Sequence, residues 1–195
     1  MTGPDRQTIA FYDAEARAYA EKAARAHSLM AFAAALPAGG RVLDLGCGGG
    51  QDSAALRDLG FHVVSIDASP GLAAEAKRRW NLDVRVREFA DIDYDTAFDG
   101  ILASASLHHA PSDELPDIFH RLRRALKPGG LLRASLKGGD ADRRDALGRF
   151  YCAMDEARLR ALLADWADVR IEMKQGAGYD GEATPWLAVW ANAQV

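Results

Sequence analysis

The stretch that most constrains this 195-residue chain is Arg41 to Ser53, RVLDLGCGGGQDS. A short apolar run, Val42-Leu43-Asp44-Leu45, stops on Gly46, and Gly48, Gly49 and Gly50 follow at once. A run of that length bounded by glycine reads as a buried strand, and a helix is expected to start near Gln51 or Asp52. Glycine tolerates positive φ and lets backbone approach a ligand closely, so the loop would aim helix-start N–H groups at whatever binds. Strand, glycine loop and helix in that order make a nucleotide cradle. The bland alternative is a turn without a ligand, but one glycine would suffice for that and the acid at position 44 would have no purpose.

Spacing narrows the nucleotide. A dinucleotide fingerprint, G-x-G-x-x-G counted from Gly46, would need glycine where Gln51 stands. What remains is Asp44-x-Gly46-x-Gly48-x-Gly50, which resembles the first motif of the class I S-adenosylmethionine (SAM) methyltransferases. The resemblance implies SAM as cofactor, S-adenosylhomocysteine as product, and Asp44, Gly46, Cys47, Gly48 and Gly50 as cofactor contacts.

The next expected strand, His62 to Ile66, ends on Asp67, about 20 residues after Gly46, where a doubly wound sheet offers a carboxylate to ribose hydroxyls. Asp67 and Ala68 are therefore assigned to the cofactor. Asp67 as a plain helix cap is the alternative, although Ser69 and Pro70 already suit that task. Glu88-Phe89-Ala90-Asp91-Ile92 resembles the family's third signature, which implies that Asp91 accepts from the adenine amino group and that the Ile92 N–H reaches the ring. The turn Lys127-Pro128-Gly129-Gly130, leading into a fifth strand, is similar to the same family.

A net charge of -4 with acids and bases interspersed gives no basic field for a phosphate backbone, which argues against nucleic acid. The two cysteines, Cys47 and Cys152, have no metal-ligand spacing and suit a reducing compartment, so no metal is expected. No stretch is long and apolar enough for a signal core or a bilayer span. The reading is a single cytoplasmic domain over residues 1–195, without membrane partners, as a monomer or homodimer.

The expected fold is α/β: a doubly wound, mostly parallel seven-stranded sheet with helices on both faces. Its antiparallel, inserted last strand is taken from the resemblance. Residues 1–36 are expected to form a helical cap, with one long helix over Thr8 to Leu36. The phrase FYDAEARAYAEKA resembles the family's cap segment, which would turn Tyr12 and Tyr19 toward the pocket, where aromatic faces stabilise a sulfonium. The alternative is that both tyrosines only pack the cap onto the core.

The fourth strand, Phe98 to Ala103, runs into Ser104 to Pro111, where methyl group and acceptor meet in the family. The resemblance puts Ser106 beside the cofactor. His108 or His109 is a candidate general base, since imidazole titrates near working pH, with a structural part of the cofactor wall as the alternative. Residues 137–154 read as an acceptor loop or lid, or more blandly as a solvated loop. In the sharper reading Lys137, Arg149 and Tyr151 join His109 in holding the acceptor, with Arg149 fixing an anion. The strand end lacks N-P-P-Y, D-P-P-Y and Pro-Cys runs, so a small molecule is the expected acceptor. Rival readings are a SAM-binding module without transfer and a nicotinamide oxidoreductase, the latter opposed by Gln51.

Overall fold

The computed structural model describes residues 4–23, 26, 28–179, 181 and 183–194. The cap consists of α1 (Arg6–Ala14), α2 (Ala16–Lys22) and α3 (Leu29–Ala34). Then come β1 (Arg41–Leu45), α4 (Gln51–Asp58), β2 (His62–Asp67), α5 (Pro70–Trp80), β3 (Val84–Val86), β4 (Phe98–Ser104), α6 (Leu115–Ala125) and β5 (Leu126–Lys137). A short ribbon of β6 (Arg143–Arg144) and β7 (Phe150–Tyr151) precedes α7 (Glu156–Leu162), β8 (Trp166–Ala177) and β9 (Ala183–Ala193).

The large sheet has seven strands in the order β3-β2-β1-β4-β5-β9-β8. β3, β2, β1, β4 and β5 pair in parallel, whereas β9 lies antiparallel between β5 and β8. This is the expected doubly wound fold with its inserted antiparallel strand. Helices pack on both faces because the parallel strands are apolar on both sides. On one face Leu43, Ile101, Leu132 and Val189 pack with α6 and α7. On the other, Val42 and Leu102 pack with Phe32 of α3 and Leu56 of α4. In α6, Leu115, Ile118, Phe119, Leu122 and Ala125 are buried at the spacing of one helical face.

Three expectations change. The single helix over Thr8 to Leu36 is instead three, because tertiary hydrogen bonds claim its backbone: Ala23 is extended (φ -63°, ψ 126°), and the Ala26 N–H goes to Asp52 Oδ1 at 2.9 Å. The K-P-G-G turn does not precede β5 but bulges within it, since Leu126 pairs with Phe98 and Leu131 with Gly100, with Gly129 at φ +74° between them. Residues 137–154 are not an open loop. They hold the β6–β7 ribbon and a bridge between Gly139 and Met154.

The glycine loop also departs from the simplest reading. The packing glycine that seemed missing at position 51 is present one residue earlier: Gly50, at φ +80°, caps the start of α4 where an added Cβ would stand 2.8 Å from Leu82 Cδ1 and 2.9 Å from Ala76 Cβ. Gly50→Ala combines a forbidden φ with overpacking against α5. It is expected to destabilise the fold by about 1–3 kcal/mol, read as a lower urea midpoint at unchanged slope. An unmoved midpoint would show that α5 yields without cost.

Candidate active site

The C-terminal ends of β1, β2 and β4 open onto a cavity of about 470 Å³, in the crevice where an open α/β sheet binds ligands. Its floor is the glycine loop. The Gly46 and Cys47 N–H groups both donate to the Ile66 carbonyl, at 2.8 and 3.0 Å. A Cβ on Gly46 would stand 2.3 Å from Ser106 Cβ, and the Ser106 hydroxyl donates to the Leu45 carbonyl at 2.7 Å. Only glycine lets the ends of β1 and β4 close in this way.

Asp67 borders the cavity and is held at both oxygens, Oδ2 by the Gly48 N–H at 2.8 Å and Oδ1 by the Ser69 N–H at 2.9 Å. Each oxygen keeps a lone pair for a further donor. Burial raises its pKa, and the two backbone donors oppose the rise. Asp44, only 2% exposed, accepts from the Ser53 hydroxyl at 2.6 Å. Ser65 in turn stands 2.7 Å from Ser53, and with the Ser53 proton committed to Asp44 it is the donor. Burial, and then the neighbouring Asp52 carboxylate, push Asp44 up to about 7.

The cap and the end of β4 close the other side. Tyr12, Tyr19, Ala68, Ser106 and His109 all border the cavity. His109 Nδ1 lies 2.6 Å from the Phe150 carbonyl, which can only accept, so that nitrogen carries the proton. Nε2 then receives the Tyr12 hydroxyl at 2.9 Å, while Arg149 Nη1 donates to the same hydroxyl oxygen at 3.3 Å. Tyr12 meets Tyr19 edge-on at 5.0 Å between centroids, and Tyr19 meets Tyr179 at 5.0 Å.

A family profile described as a methyltransferase domain matches residues 42–130. These residues therefore carry a methyltransferase domain, and the chain has the fold of the class I SAM-dependent methyltransferases. It is 40% identical over 100 residues to the cypemycin N-terminal methyltransferase of a Streptomyces species, covering 48% of this chain and 41% of that one. A SAM-dependent methyltransferase structure from Methanosarcina mazei superposes with a TM-score of 0.78 at 19% identity, over 88% of this chain and 100% of the other. The 1,6-didemethyltoxoflavin-N1-methyltransferase of Burkholderia thailandensis, solved with 1,6-didemethyltoxoflavin and S-adenosylhomocysteine, gives 0.69 at 22% identity, over 100% and 92%. At such identities the structural likeness establishes the fold. The chain spans about half the length of the curated relatives it matches.

Several residues singled out from the sequence lie off this cavity. Gly50 packs against α5. Asp91 Oδ2 accepts the Glu88 N–H at 3.0 Å in a reciprocal capping pair, and Ile92 is fully buried with its N–H on the Phe89 carbonyl at 3.3 Å. The wall beside them is made by Glu88, Phe89 and Ala90. His108 is 2% exposed and its Nδ1 accepts the Lys137 N–H at 3.1 Å, so the ring braces β5, and burial holds its pKa well below the ordinary value. Lys137 lies over the Tyr151 ring at 4.4 Å, behind the wall.

Arg149 is 1% exposed and does not face the cavity. It is paired with Asp145 at 2.7 Å and sits among Phe11, Tyr12, Tyr151 and Tyr179 at 5.1 to 5.9 Å from their ring centres. An anion-fixing role is thus replaced by a buried junction. Tyr179 and Trp186 border the cavity although sequence reading passed over both. Tyr179 stands in the glycine-containing link between β8 and β9, and Trp186 in the apolar run of β9, with no motif to single out either.

Among the described residues no helix is long and apolar enough to cross a membrane, and no group of three His, Cys, Asp or Glu side chains is arranged to hold a metal ion. Asp44 supplies a pH test. Its folded pKa of about 7 exceeds the unfolded value near 3.8, so its burial penalty is absent at low pH and grows as pH rises through that interval. Asp44→Asn is therefore expected to stabilise the free protein by roughly 3 kcal/mol at pH 8 and by much less at pH 4, measured by urea unfolding at both. Equal effects at the two pH values would show that folding leaves the Asp44 pKa unshifted.

Proposed function

We propose that this methyltransferase moves the methyl group of SAM onto a small-molecule acceptor by in-line displacement. The observation that carries the reading is Asp67, a cavity-facing carboxylate fixed at both oxygens by backbone N–H groups and still able to accept from two ribose hydroxyls. The glycine loop fits beside it, because Gly46 and Gly48, at φ +72° and +56°, leave no side chain between backbone and ligand. When bound, the cofactor supplies a methyl carbon made electrophilic by a sulfonium that leaves as a neutral thioether.

The chain's own part is to bind, orient and exclude water. The Tyr12 and Tyr19 rings face the cavity and attract a cation, and the Asp44 and Asp67 carboxylates favour a positively charged ligand. The cap is anchored on the cofactor side by Asp13, whose Oδ1 accepts from the Ser69 hydroxyl at 2.5 Å and the Gly71 N–H at 2.9 Å. Holding two reactants in line in a dry site can supply roughly 7–11 kcal/mol, so no strong catalytic base is demanded. The cavity runs past Tyr19 to His109, Pro111 and Trp186, room that a cofactor sensor without an acceptor would not need. The relatives named for methyl transfer to toxoflavin precursors and to a peptide terminus support transfer as the class of reaction and differ in acceptor. The reading takes the chain as a single cytoplasmic domain acting as a monomer or homodimer.

Isothermal titration with SAM, S-adenosylhomocysteine and NAD tests the cofactor. Micromolar binding of the first two and none of the third is expected, and NAD binding alone would refute it. Asp67→Ala is expected to weaken SAM by about 30-fold, roughly 2 kcal/mol, through lost charge-assisted hydrogen bonds. Unchanged affinity would remove the ribose assignment.

A further inference from the structure

We infer that the protein forms a homodimer in which the outer edge of β8 pairs antiparallel with the same strand of a second copy, about a two-fold axis at Ile171. The inference goes beyond the methyl-transfer reading and does not rest on it.

The two edges of the large sheet are built differently. β3 closes one edge with three residues, Val84–Val86. β8 closes the other with twelve, Trp166–Ala177, none of them proline, and among the described residues no further strand pairs with its outer side. A long edge presents a row of unpaired N–H and C=O groups that another strand can satisfy. Near the start of β8 a bulge interrupts the ladder, with Asp168 at φ +50° and the register against β9 shifting between Ala167 and Arg170. Beyond it the pairing with β9 is regular as far as Ala177.

Side-chain charge selects a second copy as the occupant. In an isologous antiparallel pair, residue i of one copy faces residue j of the other and j faces i. With the axis at Ile171, Arg170 faces Glu172 of the second copy and Glu172 faces its Arg170, so one attraction is made twice. Both residues are exposed. Glu172 pairs with Lys174 of its own strand at 2.9 Å, whereas Arg170 has no acidic partner among the described residues and gains one in the dimer.

The opposite face of the strand agrees. Val169 and Ile171 are half-buried against the core, and Met173, on the same face, is 65% exposed. The same axis sets Val169 opposite Met173 of the second copy and Ile171 opposite Ile171, so the apolar stripe continues across the junction and covers Met173. Neighbouring registers lose this match. An axis at Glu172 sets Glu172 against itself and Arg170 against Lys174, both repulsive. An axis at Met173 sets Arg170 against Gly176 and Ile171 against Gln175.

Light scattering of the full chain over a concentration series is expected to show a reversible monomer–dimer equilibrium. A monomer at every concentration would overturn the inference. Arg170→Glu and Glu172→Arg each set like charges opposite one another at two places, and each should raise the dimer dissociation constant at least about tenfold, while the double variant should return to within about threefold of the original. A dimer indifferent to Arg170→Glu, or a double variant no tighter than either single one, would put the interface elsewhere and end the proposal. Hydrogen exchange needs no substitution: alternate amides from Val169 to Met173 should exchange more slowly as the concentration of the unaltered chain rises, and unchanged rates in the dimer would overturn the pairing. Neither charged residue borders the cavity, so a failure of SAM to bind would count against the methyl-transfer reading and leave the dimer standing.

Discussion

A buried guanidinium organises the side of the cavity where the cap meets the β6–β7 ribbon. Arg149 has its charge met by Asp145 and its faces met by rings from α1, β7 and the β8–β9 link, so three otherwise separate segments share one partner. A buried ion pair is weak evidence for stability, because desolvation offsets most of its attraction, but removing one partner is costly. Its clearer effect is geometric. Arg149 fixes Tyr12, Tyr12 fixes the His109 ring, and His109 is anchored to Phe150. The positions of Tyr12 and His109 are thereby set by contacts outside the cavity rather than by a ligand inside it.

The cofactor side is governed by a different constraint, the crowding of carboxylates around a glycine loop. Asp67 is stabilised as an anion by two backbone donors, whereas Asp44 has a hydroxyl partner and a carboxylate neighbour. Burial raises both acids, and the two backbone donors oppose the rise at Asp67 while the Asp52 carboxylate adds to it at Asp44. Cationic ligands suit such a site better than anionic ones, which agrees with a sulfonium and an ammonium on one molecule.

The cofactor half was largely legible in sequence because its chemistry is local. Asp44, the glycines and Asp67 are each placed by the strand that carries them, so spacing along the chain predicts spacing in space. Asp91 is less local: it lies off the cavity lining, and its Oδ2 accepts the Glu88 N–H of its own turn. The surroundings of Arg149 were mostly illegible because their contacts are distant in sequence. Arg149 pairs with Asp145 four residues away but is boxed by rings near position 11 and near position 179, and nothing in a solvated-looking run of charges announces that. The long cap helix failed for the same reason, since Asp52 draws off the Ala26 N–H across 26 positions.

The insertion of β9 has a consequence for how the chain reaches this state. The strand is latest in sequence order yet lies inside the sheet, pairing with β5 over Leu131 to Lys137 and with β8 on its other edge. Until it arrives, β5 presents an open edge and the cavity lacks the wall that Trp186 provides. Assembly from the glycine loop outward can proceed strand by strand through β4 and β5, but completion waits on a long loop closure, the slow kind of contact in a folding chain. The crevice is thus finished by the same event that seals the sheet, and an intermediate with its first five strands paired would carry the glycine loop without a closed cavity.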